Sequence, residues 1–301
     1  MTSNDQKIDD KPAVEDEKNV SGKPLAGRKA GEKKIYGIVC GMPRCGTRNF
    51  ASLLNKHPDF AVQGEVPVPL LQSALKLILE ADEVFQKGNK KVPPIWYARR
   101  YDAIANAIML VTKSNPINHP RIRMHGFKLP NAEFESDLLN QVLLPSVLRV
   151  QYMYCIRNPA DCYLSLIAMP WFTRTTERFI QNYIRSLNKI VEMKEAANSN
   201  DGKIGISIFN LDSFISAENQ ARWLSRKMFA PLDVEVSPAT SKKFLAAMGY
   251  INSTKQATGK DRGKSLPPEA LKIFKEHEHK LERAILKFNR AFGEKLALEL
   301  R

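Results

Sequence analysis

The sequence predicts an α/β fold, a three-layer sandwich built on a central parallel sheet with a helical lid. Three observations carry that expectation. The runs Ile35–Cys40 and, apart from Gln151, Val150–Ile156 are apolar rather than alternating, as strands buried on both faces are. Stretches of helical periodicity separate such runs along the chain, which is the rhythm of βα units. A chain of 301 residues, 43% of them hydrophobic, can bury one sizeable core or at most two modest ones.

Residues 1–33 are polar, rich in Lys, Asp and Glu, and read as a disordered tail; residues 34–301 read as a single domain. Strands are expected near 35–40, 122–128, 150–156 and 203–209. Helices are expected near 46–56, 68–87, 95–114, 134–145, 159–168, 174–198 and 216–229, with a long one over 267–299. Helical segments between about 67 and 118 interrupt the βα rhythm and read as a lid, with breaks at Pro93-Pro94 and Asn115-Pro116. No internal repeat is present. Ligands of such a fold sit at the carboxyl ends of the strands.

The first strand runs into a glycine loop, Gly41-Met42-Pro43-Arg44-Cys45-Gly46-Thr47-Arg48-Asn49, and a helix with apolar Phe50, Leu53 and Leu54 follows. A strand–loop–helix of this kind aims free backbone N–H groups and the positive end of a helix dipole at one point, which makes a phosphate or sulfate cradle. Gly41 and Gly46 have the Walker spacing, so the fold is expected to be of the P-loop type. Thr47 and Arg48 nevertheless stand where that motif has Lys and then Ser or Thr, and the cation inside the loop is Arg44. The loop therefore reads as an anion site that needs no metal.

A second stretch, Tyr152 to Ser165, combines a buried strand, Arg157 at its tip, Pro159 at a helix start and Ser165 two turns in. Arg157 can grip a phosphate bidentately, and Ser165 can donate a hydroxyl if its helix folds back towards the same anion. Read without the first stretch, the same residues fit equally an arginine capping a sheet edge and a serine facing solvent.

The net charge of +14 favours polyanionic partners. The chain lacks basic runs interleaved with aromatics, which counts against nucleic acid. Four cysteines, Cys40, Cys45, Cys155 and Cys162, flank the two stretches without a C-x-x-C pair and read as buried reduced thiols. No histidine lies at ligand spacing from them, so no metal site is expected. With no signal peptide and no long apolar run, the expected setting is cytoplasmic, without a membrane span.

Taken together, the two stretches resemble the sulfotransferases that use 3′-phosphoadenosine 5′-phosphosulfate (PAPS). Pro43-Arg44-Cys45-Gly46-Thr47 is similar to that family's 5′-phosphosulfate loop, and Arg157 with Ser165 to its 3′-phosphate motif; the similarity extends over about residues 34–230. Arg44, His57-Pro58-Asp59 and Gly64-Glu65 are closer to the tyrosylprotein and bacterial carbohydrate branches than to the cytosolic small-molecule branch. The cytosolic branch has Lys where Arg44 stands, and a hydroxyl residue and tryptophan where Arg48 and Asn49 stand. Trp171 and Tyr183 are then the candidates to cover the adenine.

The resemblance implies a metal-independent, in-line transfer of a sulfuryl group from PAPS to a hydroxyl or amine, leaving the product PAP. Arg44 would neutralise the departing oxygen, and Thr47 with the N–H groups of Cys45, Gly46 and Arg48 would hold the 5′-phosphate; the Arg48 side chain either adds charge there or points to solvent. Glu65, similar to the Gly-Glu position that carries the base in the tyrosylprotein branch, is the first choice of base. His125, on a segment similar to the strand that bears the base histidine in the cytosolic branch, is the second, although Lys128-Leu129-Pro130 matches the K-x-P of the other branch better. On that register Lys128 reaches the sulfonate oxygens and His125 faces the sheet or a neighbouring helix, while His57 is read as a helix cap. Lys260 and Arg262, beside Gly259 and Gly263, are candidates to close over the 3′-phosphate. The acceptor stays open between carbohydrate, lipid, peptide tyrosine and small metabolite, and the oligomeric state is not legible. Two other readings remain: a nucleotide or small-molecule kinase of the P-loop superfold, and a non-catalytic protein that binds PAP or a polyanion.

Overall fold

The computed structural model describes residues 35–88, 104, 122–199, 201–248 and 265–300. The expected tail, most of the expected 95–114 helix, and the loop bearing Lys260 and Arg262 lie outside the described residues. Five parallel strands form one sheet in the order β2-β3-β1-β4-β5: β1 (Ile35–Cys40), β2 (Phe60–Glu65), β3 (Met124–Lys128), β4 (Arg149–Ile156) and β5 (Ile204–Asn210). Helices flank the sheet, so the architecture is α/β, as the two apolar runs foretold.

β1 is the central strand, and every one of its residues is buried. Its neighbours approach closely because Gly37 faces Gly126 across the β1–β3 pair. A Cβ on Gly126 would meet the Gly37 carbonyl oxygen at 1.9 Å. β2 lies outside the strands expected from the sequence. Its Gln63-Gly64-Glu65 end is polar, and a register shift between Gln63 and Glu65 breaks the alternation by which strands are recognised.

α1 (Thr47–Leu54) buries Phe50, Leu53 and Leu54, the i, i+3, i+4 stripe of a helix laid on a sheet. α2 (Val68–Gly88) and the buried Ile104 are described within the segment expected to form a lid. A 3₁₀ turn (Ala132–Glu135) leads into α3 (Ser136–Leu143). α4 (Pro159–Ile167) starts with Pro159 at its first turn, and the Asn158 side chain accepts from the N–H groups of Ala160 (2.9 Å) and Asp161 (3.2 Å). α5 (Thr176–Asn198) is capped by the Thr175 hydroxyl.

The helix expected over 216–229 starts late, at Gln220, and a separate short helix precedes it. α6 (Leu211–Ser216) ends before Ala217, α7 (Gln220–Trp223) restarts with Asn219 as its cap, and a π-helical turn (Leu224–Phe229) follows. α8 (Pro238–Ala246) was not foreseen. α9 (Pro268–Phe292) stops at Gly293, whose left-handed backbone (φ 66°) closes the helix, so the expected helical span of 293–299 is not helical.

Two stability measurements follow. Gly126→Ala should destabilise the fold by more than about 3 kcal/mol in urea denaturation, because no side chain can yield where the clash is with backbone. The His57 ring packs among Phe60, Phe229 and Phe244, and burial lowers its pKa. The unfolded chain then takes up the proton first, so stability should fall as pH drops below about 6.5. His57→Gln should flatten that step in urea midpoints measured at pH 7.5 and 5.5.

Candidate active site

The loop between β1 and α1 is shaped by three left-handed residues, Gly41 (φ 109°), Arg44 (φ 73°) and Gly46 (φ 92°). A Cβ on Gly41 would meet the Cys155 carbonyl oxygen at 2.2 Å, so only glycine lets the loop lie against β4. Arg44 holds that conformation at a cost of about 1–2 kcal/mol. Gly46 caps α1, and the Phe50 N–H to Gly46 carbonyl bond (3.0 Å) is the first of the helix. The N–H groups of Gly46, Thr47 and Arg48 therefore have no intrahelical acceptor, which is the anion-binding property of a helix start. The Cys45 N–H is used differently from expectation: it closes a turn on the Met42 carbonyl (3.2 Å).

One face of α4 docks on this loop. Arg44 Nε donates to Ser165 Oγ at 2.9 Å. One turn earlier, Cys162 Sγ donates to the Pro43 carbonyl at 3.1 Å and sits 3.6 Å from Cys45 Sγ. The two sequence stretches thus meet through side chains three residues apart on one helix face.

Arg157, at the carboxyl end of β4, is only 9% exposed, and its Nε is buried without a hydrogen-bond partner. Its backbone carbonyl accepts the Tyr183 hydroxyl, and Asp212 Oδ1 lies 3.9 Å from Nε. Asp212 also accepts the Asn158 N–H, which ties the start of α4 to α6. Tyr183 is 1% exposed and bonded beneath Arg157, so it cannot cover an adenine; Trp171 is 60% exposed. Asn49 lies in the first turn of α1, directly after Arg48.

On the other side of β1, Lys128 and Glu65 form an ion pair at the carboxyl ends of β3 and β2, where the register sets them opposite each other. With Arg48, Ser52, Asn55 and Gln63 they line a cleft of about 410 Å³. Asn55 stiffens its wall, its amide both donating to the Val62 carbonyl and accepting the Val62 N–H at 2.7 Å. His125 stands apart from this group. It pairs with Tyr36 and Ala61, three residues before Lys128, and is therefore about 10 Å further down the sheet from the carboxyl edge. His57 accepts the Asp59 N–H and serves the turn after α1.

Sequence reasoning missed Glu133, Asn131 and Asp212. Asn131 N–H binds the Gly41 carbonyl (2.9 Å) and Glu133 Oε2 accepts the Gly41 N–H (3.2 Å). Neither has a pattern that announces it. Asp212, two residues beyond the Asn210 cap at a strand end, was open to inference.

No protein-family model and no curated protein matches the chain. Solved structures with a similar course include a sulfotransferase from Mycobacterium avium (10% identity, TM-score 0.48, covering 91% of this chain and 79% of that one). Another is the sulfotransferase domain of the Synechococcus PCC 7002 olefin synthase (13%, TM-score 0.47, 91% and 100%). A third is a sulfotransferase from Alicyclobacillus acidocaldarius (12%, TM-score 0.45, 86% and 96%). The functional reading rests on the site rather than on these likenesses. Among the described residues no cluster of His, Cys, Asp and Glu could hold a metal ion, and no helix is long and apolar enough to cross a membrane.

All four cysteines are free and buried, and burial raises the thiol pKa of Cys40, Cys45 and Cys155 well above the ordinary value. Thiolate is the reactive form. A disulfide-exchange reagent at pH 8 should therefore find no fast-reacting thiol in the native protein and four after denaturation.

Proposed function

We propose that the chain transfers a sulfuryl group from PAPS to a hydroxyl or amine acceptor, releasing PAP. The observation that carries this reading is the 2.9 Å bond from Arg44 to Ser165, which unites the loop with the helix that follows Arg157. The residues fit a donor with phosphate at both ends. The first turn of α1 offers N–H groups for the 5′ end. Arg157, buried with an unpartnered Nε, offers a charge-assisted grip for the 3′-phosphate. PAPS, when bound, supplies the sulfuryl group and the phosphate that departs from it.

Arg44 holds positive charge inside the loop, where negative charge develops on the departing oxygen, and Ser165 fixes its guanidinium. Gly46, Thr47 and Arg48 contribute backbone N–H groups, and Thr47 is itself buried. Across β1, Glu65 takes the acceptor proton, its carboxylate oriented by Lys128, whose ammonium also faces the transferring group. Their cleft, with Arg48 at its rim, receives the acceptor. Lys260 and Arg262, which lie outside the described residues, are proposed to cover the 3′-phosphate. His125 is the reserve base, and its place down the sheet weighs against it.

Calorimetry with PAP and with ATP–magnesium, each with and without EDTA, tests the donor. PAP binding indifferent to EDTA supports the reading; magnesium-dependent ATP binding in its place favours a kinase. Arg44→Ala should lower turnover by about 10²–10³-fold while PAP affinity changes little. Arg157→Ala should weaken PAP binding by roughly 30- to 150-fold, and unchanged affinity would remove it from the 3′ site. Glu65→Gln should abolish turnover with PAP affinity retained, and normal turnover would move the base elsewhere.

A further inference from the structure

Glu133 takes no part in the chemistry above, yet it is wholly buried directly behind the loop. Its Oε2 accepts the Gly41 N–H at 3.2 Å, its Oε1 accepts the Ser186 hydroxyl, and its own N–H turns onto the carboxyl. Ser186 Oγ lies 2.6 Å from the Tyr154 hydroxyl. Since the single Ser186 proton is given to Glu133, the Tyr154 phenol donates to Ser186. A hydrogen-bonded chain therefore runs from β4 through α5 to the 3₁₀ turn after β3, and ends on the backbone of the loop.

Burying a carboxyl costs several kcal/mol, and packing alone is served as well by an apolar side chain of the same volume. What an apolar residue cannot supply is an acceptor for Gly41. Both backbone groups of this glycine are engaged by one short segment, the N–H by Glu133 and the carbonyl by Asn131. At φ 109°, without a Cβ, Gly41 is also the residue about which the loop would most readily turn.

We propose that Glu133 is a positioning residue. It fixes the peptide plane of Gly41, and through it the direction in which Arg44 and the first-turn N–H groups of α1 point. The proposal rests on the reading that the loop cradles the 5′ end of PAPS. Glu133→Gln should preserve the function, because the amide carbonyl still accepts from Gly41 while the NH₂ donates to Ser186; the hydroxyl proton that loses its acceptor lies on Ser186 or Tyr154, away from Gly41. Glu133→Met keeps the volume and removes the acceptor.

Three readouts decide it: PAP affinity, the split between KM for PAPS and kcat, and hydrogen exchange at the Gly41 amide. Glu133→Met should weaken PAP binding and raise KM tenfold or more, with Gly41 exchange at least tenfold faster; Glu133→Gln should stay within about threefold of the native protein. If Glu133→Met does not fold, Ser186→Ala removes one donor to the carboxyl and should shift the same readouts by a smaller factor. Native-like PAP affinity in Glu133→Met, or Glu133→Gln as impaired as Glu133→Met, overturns the proposal. Should the native protein bind no PAP, the donor reading falls, and Gly41 exchange still decides the matter. Exchange as slow in Glu133→Met as in the native protein sinks the positioning role whatever the ligand.

Discussion

The carboxyl edge of the sheet depends on how the backbone at Gly41 is held. β1 ends there against β4, so closely that the Cys155 carbonyl occupies the place of a side chain. From the other side the segment after β3 takes both of its polar groups. Two neighbouring chain segments therefore converge on one residue that has no side chain. Loop, Arg44 and the start of α1 take their directions from that point. Gly41 itself, held through both of its backbone groups, has no side chain and so no rotamer of its own to relax into.

The charges around the loop are arranged in two shells on either side of β1. Arg157 and Asp212 stand beyond β4 at a separation too long for a hydrogen bond, so the guanidinium keeps donor capacity while its charge is balanced. Beyond β3, Glu65 and Lys128 make direct contact with the glutamate 58% exposed, which leaves solvent to screen the pair and the carboxylate open to the cleft. The chain end beyond α9 ties into the same edge: Asn158, the cap of α4, donates to the Ala297 carbonyl, and Asn210, the cap of α6, to Glu294. The residues that orient two helices at the site are thus secured by the last stretch of the chain.

What was legible in the sequence is what backbone periodicity and punctuation encode. The buried runs gave β1 and β4, Pro159 marked the start of α4, and the glycine spacing marked the loop. β2 escaped because its polar end and register shift hide the alternation, and α6 escaped because six residues are too few to display a helical period. Gly293 was a visible stop signal overridden by the apolar residues that follow it. Glu133 was invisible for a deeper reason. In Ala132-Glu133-Phe134-Glu135 it cannot be told from its neighbour Glu135, and burial of one and not the other is decided by Ser186 and Gly41, distant in the chain. His125 shows the converse: a chemically apt residue set back from the carboxyl edge by three residues of register along its strand.

The central position of β1 also bears on how the protein is made. Its partners, β3 and β4, begin at Met124 and Arg149, so a ribosome moving at about 5–20 residues per second leaves β1 without either neighbour for several seconds. Throughout that interval a fully apolar strand with two bare edges is available to any other nascent chain. The segment that ends as the innermost strand of the sheet is therefore also the one that waits longest with both of its edges open.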